Sequence, residues 1–304
     1  VVTPARMETA AAASGSSMTV ITEEQIRKTH ANTVLEVLRG TVGIDVVQAG
    51  GAGGVASVFV RGANSEHTKV LLDGISINDP SGAARAFDFS ALTVDNIERI
   101  EVVRGPQSMV YGSDAIGGVI HIITKRGDGP ATVTAGAMGG SFGTHQERVG
   151  LSGGNNRSYY SFGASYFDTD GITAVAERLG ARELDGYHNA TFSGRFGWTP
   201  REAFNLDYVF RYTDADAEVD GFLVDNVIRE NRLKQFFQRL QIQSLMLDGD
   251  LEQKVGFNSV NYSRVDTDPG GFGVPQFNGQ NRQVDYQANL KLVENNVVTA
   301  GVDY

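Results

Sequence analysis

Three sets of side chains in this chain have types and spacings that could do chemistry. Asp214, Asp216, Glu218, Asp220 and Asp225 crowd one polar stretch. A hard cation such as calcium takes about six to eight oxygen ligands, so the cluster invites a cation reading, although a solvated loop has the same composition. Gln48-Ala49-Gly50-Gly51-Ala52-Gly53-Gly54-Val55 is rich in glycine. It lacks the Lys-Ser/Thr of a phosphate loop and opens a strand, Ser57 to Arg61, where a phosphate site needs a helix N-terminus, so nucleotide binding is not expected. The histidines His30, His67, His121, His145 and His188 are scattered, without metal-ligand spacing or a neighbouring nucleophile motif. His121, between Ile120 and Ile122, reads as structural. No catalytic centre is expected, and the absence of cysteine excludes disulfides and thiolate metal sites.

The elements that must position these groups are organised around Ile97 to Lys125. Ile97, Ile100, Val102 and Val103 form a β-rich run that stops at Arg104-Gly105-Pro106, where proline removes a donor and glycine permits positive φ. A short helical turn and the pair Gly117-Gly118 lead into a second apolar strand, Val119 to Ile123. Upstream, Met18 to Ile21 reads as a strand. Thr22-Glu23-Glu24-Gln25 and Thr33-Val34-Leu35-Glu36 have capping-box spacing, which predicts two short helices ending near Arg39-Gly40. Ile44 to Val47 returns to strand.

The string VVRGPQSMVYGSDAIGGVIHIITK, with Val58-Phe59-Val60-Arg61-Gly62 and Leu71-Leu72-Asp73-Gly74 before it, closely resembles the plug motifs of TonB-dependent outer-membrane receptors, nearest in wording to the vitamin B12 branch. The resemblance implies a plug inside a transmembrane β-barrel, TonB as partner, and active uptake of a scarce bulky nutrient across the bacterial outer membrane. Cobalamin leads as cargo and a ferric siderophore is the alternative. Val1-Val2-Thr3-Pro4-Ala5 resembles the TonB box, which pairs with its partner as an added strand. In the family two plug loops face outward and touch substrate. The residues expected to do so here are Gln48, Gly50, Gly51, Gly53, Gly54 and Ser57 in the first loop, and Asn78, Ser81, Arg85 and Phe87 in the second. Glycine there lets a large ligand lie against bare backbone amides. Arg61, Asp73, Glu101 and Arg104 are expected to make internal ion pairs or wall contacts instead. By the same resemblance Glu183, Asp185 and Asp220 mark a possible calcium site, weakened by Thr173 and Val219 where the family has other residues.

After Arg126 the pattern becomes period two. Ala190, Phe192, Gly194, Phe196 and Trp198 alternate with polar or small residues, as do Phe204 to Tyr212 and Val284 to Leu292. Apolar residues toward lipid and polar ones toward a wet lumen are the pattern of a transmembrane barrel. Tight turns at Asn155-Asn156-Arg157, Thr199 to Glu202, Asp248 to Asp250 and Glu294 to Asn296 alternate with longer polar connectors. About nine strands are expected from Thr132 onward, the last beginning near Val297. Nine strands would leave edges unpaired in lipid, so a longer barrel is expected.

The domain reading is thus residues 1–17 as TonB box and flexible segment, 18–126 as a mixed α/β plug, and 127–304 as antiparallel barrel strands. Across 304 residues, 37 glycines, 16 Phe and 10 Tyr with 7 Pro suit strands and turns, and the net charge of −10 argues against nonspecific nucleic-acid binding. No run approaches the roughly 18 apolar residues of a spanning helix. The start at Val1, without a signal peptide, resembles that of a processed chain. A passive porin or adhesin barrel and a soluble β-rich binding protein remain as rivals.

Overall fold

The computed structural model describes residues 17–175, 178, 184–220, 229–267, 274–293 and 296–304. Val1–Ala5 and Glu183 lie outside these residues. The first elements are β1 (Ser17–Thr22), α1 (Glu23–Thr29), α2 (Val34–Leu38), β2 (Ile44–Gln48), β3 (Ala56–Val60), β4 (Thr68–Leu72), β5 (Ile75–Ser76), β6 (Ile97–Arg104), α3 (Ser108–Tyr111) and β7 (Gly118–Thr124). Thr22 and Gln25 close the expected capping box on α1, and the Thr33 side chain caps α2. Five strands form one sheet in the order β1-β6-β7-β4-β5, with β4 and β7 parallel, while β2 and β3 pair separately. Gly118 is required at the start of β7, because an added Cβ would sit 2.4 Å from the Val103 carbonyl oxygen.

One face of this sheet buries Leu72, Ile100, Val102, Ile120 and Ile122 against Val34, Leu35 and Leu38 of α2. Phe237, Val260 and Tyr262 of the second sheet join the same core. The plug therefore closes its apolar centre with side chains of the wall. A smaller cluster of Leu71, Val103, Tyr111 and Val119 covers the other face.

The wall consists of β8 (Thr132–Gly139), β9 (His145–Asn155), β10 (Ser158–Thr169), β11 (Tyr187–Arg201), β12 (Phe204–Glu218), β13 (Glu230–Met246), β14 (Leu251–Thr267), β15 (Gln276–Val293) and β16 (Asn296–Asp303). These nine strands pair consecutively and antiparallel, and the sheet is not closed, β8 and β16 forming its two edges. One expected turn moves: β11 continues through Pro200 to Arg201, with a register shift between Trp198 and Arg201 that accommodates the missing proline N–H.

Strand parity separates two surfaces. Asn189, Thr191, Ser193 and Arg195 are buried against the plug, whereas Phe192, Phe196 and Trp198 point outward and are 46%, 42% and 48% exposed. Phe257, Val255, Val284 and Tyr286 extend that apolar surface across β14 and β15. No described helix is long and apolar enough to cross a membrane; the outward strand face has the composition that lipid requires. Phe196→Arg places a charge on that face. Urea unfolding in liposomes is expected to show a loss of about 2–4 kcal/mol if the position lies near the bilayer midplane, against less than about 1 kcal/mol for Ser193→Ala on the inner face.

Candidate functional site: the plug loops and their anchorage in the wall

Two plug loops share the end of the wall that carries the long connectors. The first is closed by Ala49 N–H donating to Val55 O (3.0 Å) and braced by Gln48 Nε2 donating to Gly51 O (2.9 Å). Its glycines serve geometry. A Cβ on Gly54 would sit 1.7 Å from Ala49 O, and one on Gly53 would sit 2.3 Å from the Tyr187 ring at the start of β11. Gly50 and Gly51 approach Ala174 and Ile172 of the β10–β11 connector. In the second loop the Tyr262 hydroxyl donates to Ile77 O (2.6 Å), and Pro80 and Ser81 lie against Gly279 of β15. Asp88 ties the loops together by accepting from Ala56 N–H and Ser90 N–H (both 2.9 Å). Burial raises its carboxyl pKa, against the opposing effect of those backbone donors.

This geometry sorts the expected substrate residues. Asn78 is corrected to a structural role: it is 3% exposed, its Oδ1 accepts from Val70 N–H (3.0 Å), and its Nδ2 donates to Thr68 O and Arg85 O (3.1 Å each). Phe87 is likewise corrected, being buried edge-to-face against Phe89 in the plug core. Gly53 and Gly54 are spent on wall contact and turn closure. Gly50, Gly51, Ser57 and Arg85 retain accessible surface, while Ser81 donates from both N–H and Oγ to Asp79 (2.7 and 2.6 Å). Arg85 stands 4.0 Å from Asp114, which also pairs with Lys69 at 3.2 Å. Burial raises the Asp114 pKa, but those two cations outweigh it and leave the carboxyl below its usual range.

Two of the expected calcium residues, Asp185 and Asp220, converge on one loop. Asp185 accepts from Ala174 N–H (2.6 Å), and Asp220 accepts from Val175 N–H (3.0 Å) and the Thr173 hydroxyl (3.5 Å). Among the described residues no three His, Asp or Glu side chains are grouped to hold a metal ion.

At the opposite end the plug is fastened by charge. Asp73, at φ +47° in the β4–β5 turn, accepts from Thr124 N–H (3.1 Å) and Thr124 Oγ1 (2.7 Å). Arg195 of β11 donates to Asp73 Oδ1 (3.1 Å), Asp207 Oδ2 (3.0 Å) and Thr124 O (3.3 Å). Tyr159 donates to Asp207, and the Arg126 guanidinium lies 5.1 Å over the Tyr159 ring. Arg211 donates to Thr93 O (3.0 Å) and Asp95 O (3.4 Å). Sequence reasoning missed both wall arginines; their period-two polar positions were the available signal. Glu101 pairs with Arg99 at 2.9 Å, as expected of an internal contact. Arg104 instead donates to Thr19 (2.7 Å) and packs near Arg61; burial first, then that like charge, lowers its pKa.

The fold is therefore that of a plug seated against the inner face of an antiparallel outer-membrane-type barrel wall. Residues 10–119 match the family model described as TonB-dependent Receptor Plug Domain. Among solved structures, the siderophore receptor PirA from Acinetobacter baumannii is 21% identical with TM-score 0.73, over 94% of this chain and 47% of that one. The ferripyoverdine receptor of the outer membrane of Pseudomonas aeruginosa is 16% identical with TM-score 0.76, over 99% and 44%. The copper transporter OprC is 17% identical with TM-score 0.72, over 94% and 45%. At these identities the likeness is one of fold, and the chain spans about half the length of the solved chains it matches.

Two measurements test this anchorage. Arg195→Met leaves Asp73 and Asp207 buried without their cation and is expected to cost about 3–5 kcal/mol in denaturant unfolding; Arg232→Met, which breaks an exposed pair with Asp214, should stay within about 1 kcal/mol. His121 accepts from Gly74 N–H at Nε2 (3.2 Å), and burial, opposed by Glu101 and Asp73, lowers its pKa. The neutral ring is the folded form. Stability is complete above the unfolded imidazole pKa of about 6.5 and is lost as pH falls below it toward the folded value. Protection factors of the β7 amides, corrected for the pH dependence of intrinsic exchange, should fall as pH drops below about 6.5, and His121→Gln should flatten that slope.

Proposed function

We propose that this chain forms the plug and part of the wall of an energised uptake receptor in a bacterial outer membrane. The observation that carries the reading is a folded plug, matching the TonB-dependent receptor plug model, fastened to the inner face of the wall by a buried ion pair and by arginine donation to plug carbonyls. A passive porin or adhesin has no use for that plug, and a soluble binding protein has no use for the outward apolar face.

Cargo binds the accessible parts of the two plug loops, chiefly Gly50, Gly51, Ser57 and Arg85, together with the long connectors. Val1–Ala5 then pairs as an added strand with TonB, and pulling on that strand remodels the plug. The cargo class is a bulky metal chelate. The wording of the plug motifs favours cobalamin or a related corrinoid. The ferric siderophore reading is favoured by the solved structures, which include receptors named for a siderophore and for ferripyoverdine. Calcium belongs to the corrinoid reading: Asp185 and Asp220 already bracket Thr173–Val175, and Glu183 is the third carboxylate proposed there.

The test is calorimetry on the complete receptor in detergent with cyanocobalamin and a ferric catecholate, with and without calcium, followed by uptake of whichever binds. Deleting residues 1–5 is expected to leave binding intact and abolish uptake. Uptake that survives the deletion would remove the energised reading; calcium-dependent cobalamin binding would assign Glu183, Asp185 and Asp220.

A further inference from the structure

Between α1 and the inner face of β8–β10 the plug stands away from the wall. A cavity of about 560 Å³ separates them, within the range of small-molecule pockets. Its wall side is built from small residues, among them Gly136, Gly150, Gly163, Ser152 and Ser161. Its plug side includes two polar atoms that are buried without a hydrogen-bond partner, Asp95 Oδ2 and Asn96 Nδ2. A polar space of this size that leaves such atoms unmet is one that water fills, so the seam is wet rather than packed.

Its charge is uneven. Arg27 enters from α1 and Arg148 from β9. Arg148 donates to Gln146 Oε1 (2.8 Å), and among the described residues no carboxylate forms an ion pair with either guanidinium. Two other arginines inside the wall are answered by acids: Arg195 meets Asp73 and Asp207, and Arg239 takes Asp285 through two bonds of 2.6 and 2.9 Å. In the seam Glu23 is occupied by Lys125 at 2.7 Å, while Arg211 reaches the backbone carbonyl of Asp95 (3.4 Å) and not its Oδ2. Guanidinium groups facing a wet gap lined by small residues suit carboxylate or catecholate oxygens, which they bind through paired N–H donors.

We propose that this seam is an inner station for anionic, oxygen-rich groups of the cargo, reached after the plug loops release it. The seam runs along the middle of the wall, from Met138 and Arg148 near the β8–β9 turn to Ser152, Ser161 and Lys125 nearer the short turns, and none of the plug-loop residues lines it. Its part in passage rests on the uptake reading above; its selectivity for anions does not.

A direct test uses single cysteines in this cysteine-free part of the chain, with any cysteine elsewhere in the complete receptor replaced by serine. Ser152→Cys in the complete receptor is labelled with methanethiosulfonates bearing either a sulfonate or a trimethylammonium group, and Ser141→Cys in the exposed β8–β9 turn serves as reference. The sulfonate-to-ammonium rate ratio at position 152 is expected to exceed that at 141 by about fivefold or more, as a focused positive field requires. Arg27→Gln with Arg148→Gln should bring the two ratios within about twofold of each other. An equal or lower ratio at 152 would overturn the proposal. So would a ratio indifferent to the two glutamines, or a residue 152 that neither reagent reaches in a receptor that labels normally at 141. Loss of TonB-box dependence would instead remove the uptake reading and leave the labelling ratio standing.

Discussion

Arg195 is the cation on which the relation between plug and wall depends. It is largely buried between Asp73 of the plug and Asp207 of the wall, with side chains 10%, 5% and 8% exposed. Burying three charges is costly, and attraction offsets that cost only where the remaining donors and acceptors are met. Here they are met: Thr124 donates twice to Asp73, and Tyr159 completes Asp207. One side chain thus fixes the β4–β5 turn, the end of β7 and the wall relative to one another. His121 belongs to the same arrangement, since it accepts the N–H of Gly74, the residue after Asp73.

The plug does not attach evenly. Its hydrogen bonds to the wall come from Asp73, Ile77, Ala91, Thr93, Asp95, Asn96 and Thr124. Among the described residues, none from 17–60 joins the wall by a hydrogen bond or ion pair. The β2–β3 loop instead meets the connectors through bare glycine backbone, and α1 faces a wet gap. The plug core, in turn, is completed by Phe237, Val260 and Tyr262 of the wall. Such a plug combines a fixed part, fastened by charge and shared apolar burial, with a part that rests against the wall through shape alone.

The plug loops show why residue type is a poor guide to ligand contact. Glycine, asparagine and phenylalanine in an outward loop are compatible with binding, yet Gly54 closes a turn, Asn78 bonds three backbone groups, and Phe87 fills the core. Backbone groups removed from water must find partners, and the nearest polar side chain supplies them before any ligand arrives.

Local rules were enough for much of the fold. Capping residues placed α1 and α2, glycine and proline bounded β6 and β7, and period-two alternation fixed both the wall strands and the face each side chain presents. These features depend on neighbours in sequence, through backbone sterics and the two-residue repeat of a strand. The three plug motifs likewise pointed to the plug fold before any contact was known. Tertiary structure alone decided that Asp73 meets Arg195, 122 positions along the chain, that Asn78 and Phe87 are interior, and that Arg27 and Arg148 share a cavity. Those outcomes depend on how a sheet curves around another sheet and on which charges are desolvated together, and no spacing along the chain encodes either.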